Sequence, residues 1–472
     1  MKILPLRAKR ITKEYHYTLN GARFYDLQRW IEANVTEVSL NHFVDQESFT
    51  RLSNSKASHR APRLAIVSPV PPEETGIANA TLETYKGSEF DVDIYAEFTD
   101  VGEYLGTVYR KDVTNSNSRI YSINTMPYGV VINEYDAIIY CIGNSYHNIP
   151  YMDNLRKILR HQNDCPIYVH LHDPSILHFL KVDCELKGKN LISEIEKTYG
   201  KLSQEEKQRI KHQDYSLLVN RGICGVNALF GLMPFSAIIV NSDAAVAIIE
   251  KDNENCIVNK TFHRVERLFH PVFPAPRLRD DLNKQINNEG RIRIGTFGIP
   301  SSSKKTEIII DAFKKVRNKF KNIELVIAGF DASNYISRFK ADELDGVVVV
   351  DGPNTVELQR IMSTCHLGVQ LRSNNTGESS GVVPQLLANK VPVLVSRIGA
   401  FLEYGPAVGY VETDIDADGL AAQILEEIKS PGQRDLAASH FIKAHSPSTF
   451  CNELLEIVKP ASLSHVRGRC QA

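Results

Sequence analysis

Two short segments in the second half of the chain carry residues suited to holding an anion. The first, Gly377-Glu378-Ser379-Ser380-Gly381-Val382-Val383-Pro384-Gln385, follows an apolar run, His366–Leu371, that reads as a strand. Small residues there open a helix, so backbone N–H groups point outward and the helix dipole favours negative charge. A diphosphate fits such a place. So does an ordinary capped helix start, with Ser379 or Ser380 as N-cap. The second segment is Phe297-Gly298-Ile299-Pro300-Ser301-Ser302-Ser303-Lys304-Lys305, where a strand again ends in small residues. Lys304 stands at the entry to a helix. It is placed either to meet a phosphate as a point charge or to sit solvated on the surface.

Several histidines and acids are of residue types that bind metal. His170, His172 and His178 lie close together, with Asp173 beside His172. Yet His170 and His172 share one strand face, and neither a carboxylate set nor an i, i+4 pair supports an ion. The expectation is no metal. Asp91-Val92-Asp93 has the form of an Asp-x-Asp metal motif but falls within a predicted strand, Phe90–Tyr95, and reads as strand-edge polar residues. Neither G-x-G-x-x-G nor G-x-x-x-x-G-K-[ST] occurs, which counts against dinucleotide oxidoreductases and P-loop enzymes.

The elements that must position these residues alternate. After a polar leader, residues 1–60, with Phe24, Leu27, Trp30 and Ile31 at helical spacing, order begins at Arg63–Val67. Strands follow near 91–96, 135–142, 166–171 and 235–241, with helical patterns near 150–161, 204–219 and 242–251. The charged stretch Pro274 to Gly290 reads as a linker. A second alternation has strands Ile292–Phe297, Ile323–Ala328, Val347–Val350, His366–Leu371, Val391–Val395 and Val408–Val411. Its helix Glu307–Phe320 carries Ile309, Ala312, Phe313, Val316 and Phe320 on one face. Apolar strands separated by amphipathic helices predict an α/β fold of two doubly wound parallel sheets, residues 61–275 and 290–445. The last segment, 446–472, holds a helix, Pro447–Val458, that can return to the first domain. Such sheets bind ligands at the carboxyl ends of their strands, and two of them face across a cleft.

Composition narrows the class. A net charge of -1 argues against a nucleic-acid partner. No run of 18 apolar residues exists, so no spanning helix is expected. Met1–Lys13 holds five basic residues and no acid, which suits a peripheral membrane contact, and it lacks the apolar run of a signal peptide. The eight cysteines include no C-x-x-C pair, and several sit in buried-looking strands, the pattern of reduced thiols in a cytoplasmic protein.

With these residues in view the chain resembles the family 4 retaining glycosyltransferases, which have the GT-B fold of two Rossmann-like domains. Arg372 to Leu394 is similar to their donor-site signature and Ser301–Lys304 to their lysine-bearing loop. In the first domain, Ser68-Pro69-Val70-Pro71-Pro72-Glu73-Glu74-Thr75-Gly76-Ile77-Ala78 is similar to their Pro-Pro-x-x-x-Gly-Ile-Ala loop. Tyr140–His147 and Val169-His170-Leu171-His172-Asp173 also match, so five motifs occur in order. The resemblance implies transfer of a sugar from a nucleotide-sugar donor to a glycan or lipid-linked acceptor, with no cofactor beyond the donor. It implies that 61–275 receives the acceptor and 290–445 the donor. His172 and Glu378 would be catalytic, with His172 bonding the donor sugar and Glu378 reaching the sugar or its phosphates. Gly76 and Ile77 would lie near the donor's phosphates and sugar, Lys304 would neutralise the diphosphate, and Ser379, Ser380 and Gly381 would cap it. Gln385 would face the ribose, and Asn144, Asp173 and Lys305 are further candidates. There are departures. The family has two glutamates with seven residues between them; here Gly377 takes the first position, with Glu378 one later, and Gln385 the second. Its arginine ahead of the lysine is absent, Ile299 occupying that neighbourhood, and Lys305 takes a place usually held by glycine. These leave a second reading open, a non-catalytic subunit of the same shape that binds a glycan or nucleotide for a partner transferase.

Overall fold

The structure is a computed structural model that describes residues 61–458, except 72, 74, 86–87, 89, 99–100, 109–117, 127–134, 161–164, 259–262 and 275–290. The leader 1–60 with its helical pattern, the linker beyond Pro274 and the tail after Val458 lie outside the described residues.

Runs that are apolar throughout form the inner strands, because a parallel sheet is covered on both faces. Ala137–Ile142 is the clearest case, buried at every position. The first sheet comprises β1 (Arg63–Val67), β2 (Asp91–Ala96), β3 (Ser118–Ser122), β4 (Ala137–Ile142), β5 (Ile167–Leu171), β6 (Ala237–Val240) and β7 (Arg264–Arg267), in the order β3-β2-β1-β4-β5-β6-β7. The second comprises β8 (Ile292–Phe297), β9 (Ile323–Gly329), β10 (Val347–Asp351), β11 (Leu367–Gln370), β12 (Val393–Ser396) and β13 (Gly409–Val411), in the order β10-β9-β8-β11-β12-β13. All pairings are parallel. The order reverses between β1 and β4 and again between β8 and β11. Those two switch points set where loops part to leave a crevice.

Successive strand residues feed opposite faces. Ala65, Val67, Ile138, Tyr140 and Val169 enter one core of the first sheet, while Leu64, Ile66, Ile139, Cys141 and Tyr168 enter the other. The second sheet divides in the same way, Ile294, Leu325, Ile327 and Val369 against Phe297, Val326, Ala328 and Val395. The helix Pro447–Val458 packs on the first sheet: Phe450 meets Tyr85 edge-on at 6.4 Å, and Cys451 and Leu454 are buried with β1 and β2 residues.

Several elements differ from the sequence reading. β3 and β7 were not expected, because Ser118-Arg-Ile-Tyr-Ser and Arg264-Val-Glu-Arg are short, polar edge strands with little apolar signal. The helical pattern 204–219 is two helices, Gln204–Lys211 and Ser216–Arg221, separated by a turn with Gln213 at φ +59°. Phe320 does not join the buried face of the helix Thr306–Lys319. It is the extended C-cap and is exposed, whereas Ile309, Ala312, Phe313 and Val316 are buried. Asp91 and Asp93 are not merely edge polar groups. Asp93 is fully buried and accepts from Arg63 (3.2 Å), Arg119 (2.6 Å) and the Tyr135 hydroxyl (2.5 Å), while Asp91 accepts from Arg119 at 2.7 Å. No disulfide joins any of the seven described cysteines to another described residue.

Candidate functional site

The loop after β1 opens the helix Gly76–Tyr85, and Thr75 Oγ1 caps it by accepting from Ala78 N at 3.1 Å. A Cβ on Gly76 would meet nothing within 4 Å, so this first turn faces open space. Ile77 instead packs inward. Its Cδ1 lies 2.9 Å from where a Cβ on Gly143 would be, and Asp173 Oδ2 lies 3.2 Å from the same point. Only a residue without a side chain fits there, so the loops after β1, β4 and β5 converge on Gly143. Asn144 N donates to Asp173 Oδ2 at 2.8 Å, and the Asn144 side chain accepts from Phe179 N at 2.9 Å. That amide therefore anchors the start of the helix Leu177–Leu186 and does not face the cleft freely.

His172 continues β5, its N–H donating to Ile142 O at 3.0 Å. Its ring stacks on that of His170, centroids 4.5 Å apart and planes at 30°. His170 Nε2 meets Asn241 Oδ1 at 2.6 Å, and Asn241 Nδ2 faces His172 Nδ1 at a long 3.5 Å. The amide thus assigns the tautomers: His170 is protonated on Nε2, and His172 accepts on Nδ1 and carries its proton on Nε2. Burial pushes both imidazoles down, His170 to about 4 and His172 well below the ordinary imidazole value with help from the neighbouring His170 and His270, so both are neutral at pH 7. Cys141, His170 and His172 offer ligand atoms within 4.8 Å of one another. Two stacked rings, however, run their in-plane lone pairs side by side, and burial pushes the Cys141 thiol up to about 12.

Asp173 is pushed up to about 7 by burial and then by the charge of Glu378, against the opposing hydrogen bond from Asn144 N. That coupling spans the two sheets. The contact is made at Gly377, φ +72°, whose carbonyl accepts from Ser242 Oγ at 3.0 Å. A side chain at Gly377 would come within 2.7 Å of both Ile248 Cδ1 and Pro174 Cγ. Positive φ and this close approach explain why the acidic residue stands one position later.

In the second sheet Gly298, φ +89°, turns the chain after β8, and a Cβ there would lie 2.9 Å from Lys304 Nζ. The Lys304 ammonium is folded back over that glycine, toward the crest of β8 and β11. Among the described residues it has no hydrogen-bond or ion-pair partner. Burial, then the Arg372 charge, bring it down to about 8, with Glu378 opposing. Lys305 goes elsewhere. It is buried in the left-handed region at φ +53°, with its amine on the Thr413 carbonyl, so it is not brought to the cluster. The positive φ accounts for a glycine being the common choice at that position.

Ser380 is buried, and its hydroxyl accepts from Val382 N and Val383 N at 3.3 Å each, capping the helix Val382–Ala388. Gly381 is exposed, with nothing within 4 Å of a Cβ position, while Ser379 is half-buried beside it. Gln385 Oε1 is buried without a hydrogen-bond partner. An orphan acceptor costs about 1–3 kcal/mol and is the kind of group a ligand satisfies. Arg372, half-buried at the end of β11, carries one of the two cations of this region and was given no role by sequence reasoning. Its signal was a charged residue directly after an apolar strand.

No protein-family model matches the chain, and no curated protein matches it. Solved structures do. HepE of Anabaena, in complex with UDP and glucose, is 15% identical with a TM-score of 0.53 over 86% of this chain and 100% of its own. The fold is GT-B. An α,α-trehalose-phosphate synthase of Burkholderia xenovorans is 11% identical with a TM-score of 0.52, covering 85% of this chain and 100% of that one. The sucrose-phosphate synthase of Thermosynechococcus elongatus is 12% identical with the same TM-score, covering 86% and 100%. The chain thus shares its fold with these proteins over most of its length.

Proposed function

We propose that this GT-B chain transfers a sugar from a nucleotide diphosphate sugar to a hydroxyl acceptor, with retention at the anomeric carbon. The observation that carries the reading is Lys304, an ammonium withdrawn from water, without a partner among the described residues, at the switch point of the second sheet. An unpaired cation held there costs free energy unless an anion arrives. HepE, with UDP and glucose bound, and the two phosphosugar synthases lend support by fold.

In this reading Lys304 neutralises the diphosphate, the open turn at Gly381 offers it backbone N–H groups, and the orphan Gln385 Oε1 accepts from a ribose hydroxyl. His172, neutral with its proton on Nε2, donates to a hydroxyl oxygen of the donor sugar. Attack on the sugar comes from the acceptor oxygen on the face the diphosphate leaves. The bond from the anomeric carbon to the phosphate oxygen breaks as the new glycosidic bond forms, and the acceptor proton passes to the departing diphosphate. No protein nucleophile is used. Charge building on the leaving group is what Lys304 stabilises. Retention and the family 4 affiliation rest on the sequence resemblance, and a glycan or lipid-linked glycan is the acceptor class it implies.

The experiment is a thermal-shift panel of UDP-, GDP-, ADP- and dTDP-sugars, since a ligand bound to the native state raises its midpoint. A rise with at least one nucleotide-sugar, absent with the free sugar, is the expected result. No shift with any of them would remove the proposal.

A further inference from the structure

The resemblance implies an arginine ahead of Lys304, but the loop after β8 carries Ile299 there, and Ile299 is exposed. A single lysine leaves most of a diphosphate's charge unmatched. The second sheet supplies another cation from a different strand. Ser373 N donates to Ser303 O at 2.8 Å, tying the loop after β11 to the loop after β8, so Arg372 and Lys304 each stand one residue from the same backbone hydrogen bond. Arg372 N is anchored on Ser396 Oγ at 2.9 Å, and its guanidinium lies over the Phe401 ring, 5.6 Å from the centroid.

The guanidinium is oriented and largely unspent. Among the described residues its one side-chain hydrogen bond runs from NH1 to Leu371 O at 3.2 Å. Its nearest carboxylate, Glu378, is 3.9 Å away, too far for a hydrogen bond, on a side chain that is 45% exposed. The Arg372 side chain itself is only 15% exposed. A fork of donors held by an aromatic face, beside an unpaired ammonium, matches the oxygens of a diphosphate.

Resting on the reading of this cleft as a nucleotide-sugar site, we propose that Arg372 is the second diphosphate-binding cation, taking from β11 the place that the loop after β8 leaves to Ile299. The loose contact with Glu378 then serves as a placeholder: the arriving anion takes the guanidinium, and Glu378 is released toward the sugar. Selectivity follows. Arg372 favours a diphosphate over a monophosphate, because the second phosphate completes the fork.

Inorganic pyrophosphate, UDP, GDP and dTDP are titrated by calorimetry into the full chain as wild type, Arg372→Gln and Arg372→Lys. The tightest ligand should bind Arg372→Gln ten- to hundredfold more weakly, the size of a lost charge-assisted contact. Its affinity should also fall less steeply with added salt. Arg372→Lys, which keeps the charge and so the fold, should lie between the two because a point charge cannot make the fork. Unchanged affinity in Arg372→Gln, or in Arg372→Lys should the first variant not fold, overturns the inference alone. Failure of the wild type to bind any of the four ligands overturns the transferase reading with it.

Discussion

Two clusters of charged residues in this molecule, one in each sheet, are arranged in opposite ways. At the amino ends of β1, β2 and β3, Asp93 is enclosed by Arg63, Arg119 and the Tyr135 hydroxyl, with Asp91 sharing Arg119. Both oxygens of the buried Asp93 have donors, and Asp91 Oδ1 takes one from Arg119. At the carboxyl ends of β8 and β11, Lys304 lacks a partner among the described residues, Arg372 reaches Glu378 only at 3.9 Å, and Gln385 Oε1 is an orphan. The first set ties the edge strand β3 to β2 and β1. The second is held apart by backbone anchors, the arrangement of groups awaiting a ligand. Both contain an acid between two cations, so residue type alone does not separate them. What separates them is the end of the strands they occupy and whether the acid between the cations is hydrogen-bonded to them.

The contrast can be broken by substitution. Asp93→Ala should destabilise most, by about 3–5 kcal/mol, since it strands two guanidinium groups. Chemical denaturation would measure it, and a change below about 1 kcal/mol would mean the cluster is not structural. Asp93 lies toward the amino ends of the strands of the first sheet, away from the cleft, so the folded fraction should bind nucleoside diphosphate normally.

In the cleft the ranking reverses, with small effects on stability and large ones on ligand. His172→Ala should lower turnover about a hundredfold, in line with losing a donor aimed at a reacting sugar, while nucleoside diphosphate affinity stays nearly unchanged. His170→Ala, one ring further into the core, controls for damage to β5. Equal turnover in His172→Ala and wild type would remove His172 from the site.

Lys304→Ala should weaken nucleoside diphosphate binding ten- to hundredfold, and Lys305→Ala by far less, because the Lys305 amine is committed to Thr413. A pH titration sharpens the point. The Lys304 ammonium is brought down to about 8, so in the free protein the charged form declines as pH rises through 8, and affinity should fall there. Asp173, pushed up to about 7, also loses its proton in this range, so Lys304→Ala should shrink that limb. A limb that persists unchanged in the variant would assign it to another group.

These differences were unequally legible in the sequence. Ala137–Ile142 announces itself because a buried parallel strand is apolar at every position, and Ile323–Gly329 does so with Glu324 as its one charged residue. Ser118–Ser122 and Arg264–Arg267 do not, being edges with one partner strand. Lys304 is readable as a cation after a strand and a run of small residues. Arg372 is not readable as its neighbour, because that requires knowing that β11 lies beside β8 although β9 and β10 intervene in the chain. The turning away of Lys305 depends on a left-handed backbone that no pattern of hydrophobicity records. The offset of Glu378 from Gly377 depends on Pro174 and Ile248 of the other domain lying against that glycine, a contact between segments distant in the chain.

The smallest effect expected is at Gln385. Gln385→Glu should keep or raise nucleoside diphosphate affinity by a few-fold, since a carboxylate accepts from both ribose hydroxyls where the amide offers one acceptor. Titrating the two forms side by side measures it. A clear loss in the glutamate variant would turn Gln385 away from the ribose.

The central claim is that protein cations and backbone amides hold the diphosphate without a metal ion. Its most direct test is nucleoside diphosphate release from a panel of nucleotide-sugars, measured after exhaustive chelation and again with magnesium or manganese. The account predicts release from at least one nucleotide-sugar at the same rate in all three conditions, and its loss in Lys304→Ala. Release that disappears on chelation and returns with either ion, or no release from any nucleotide-sugar, would contradict it.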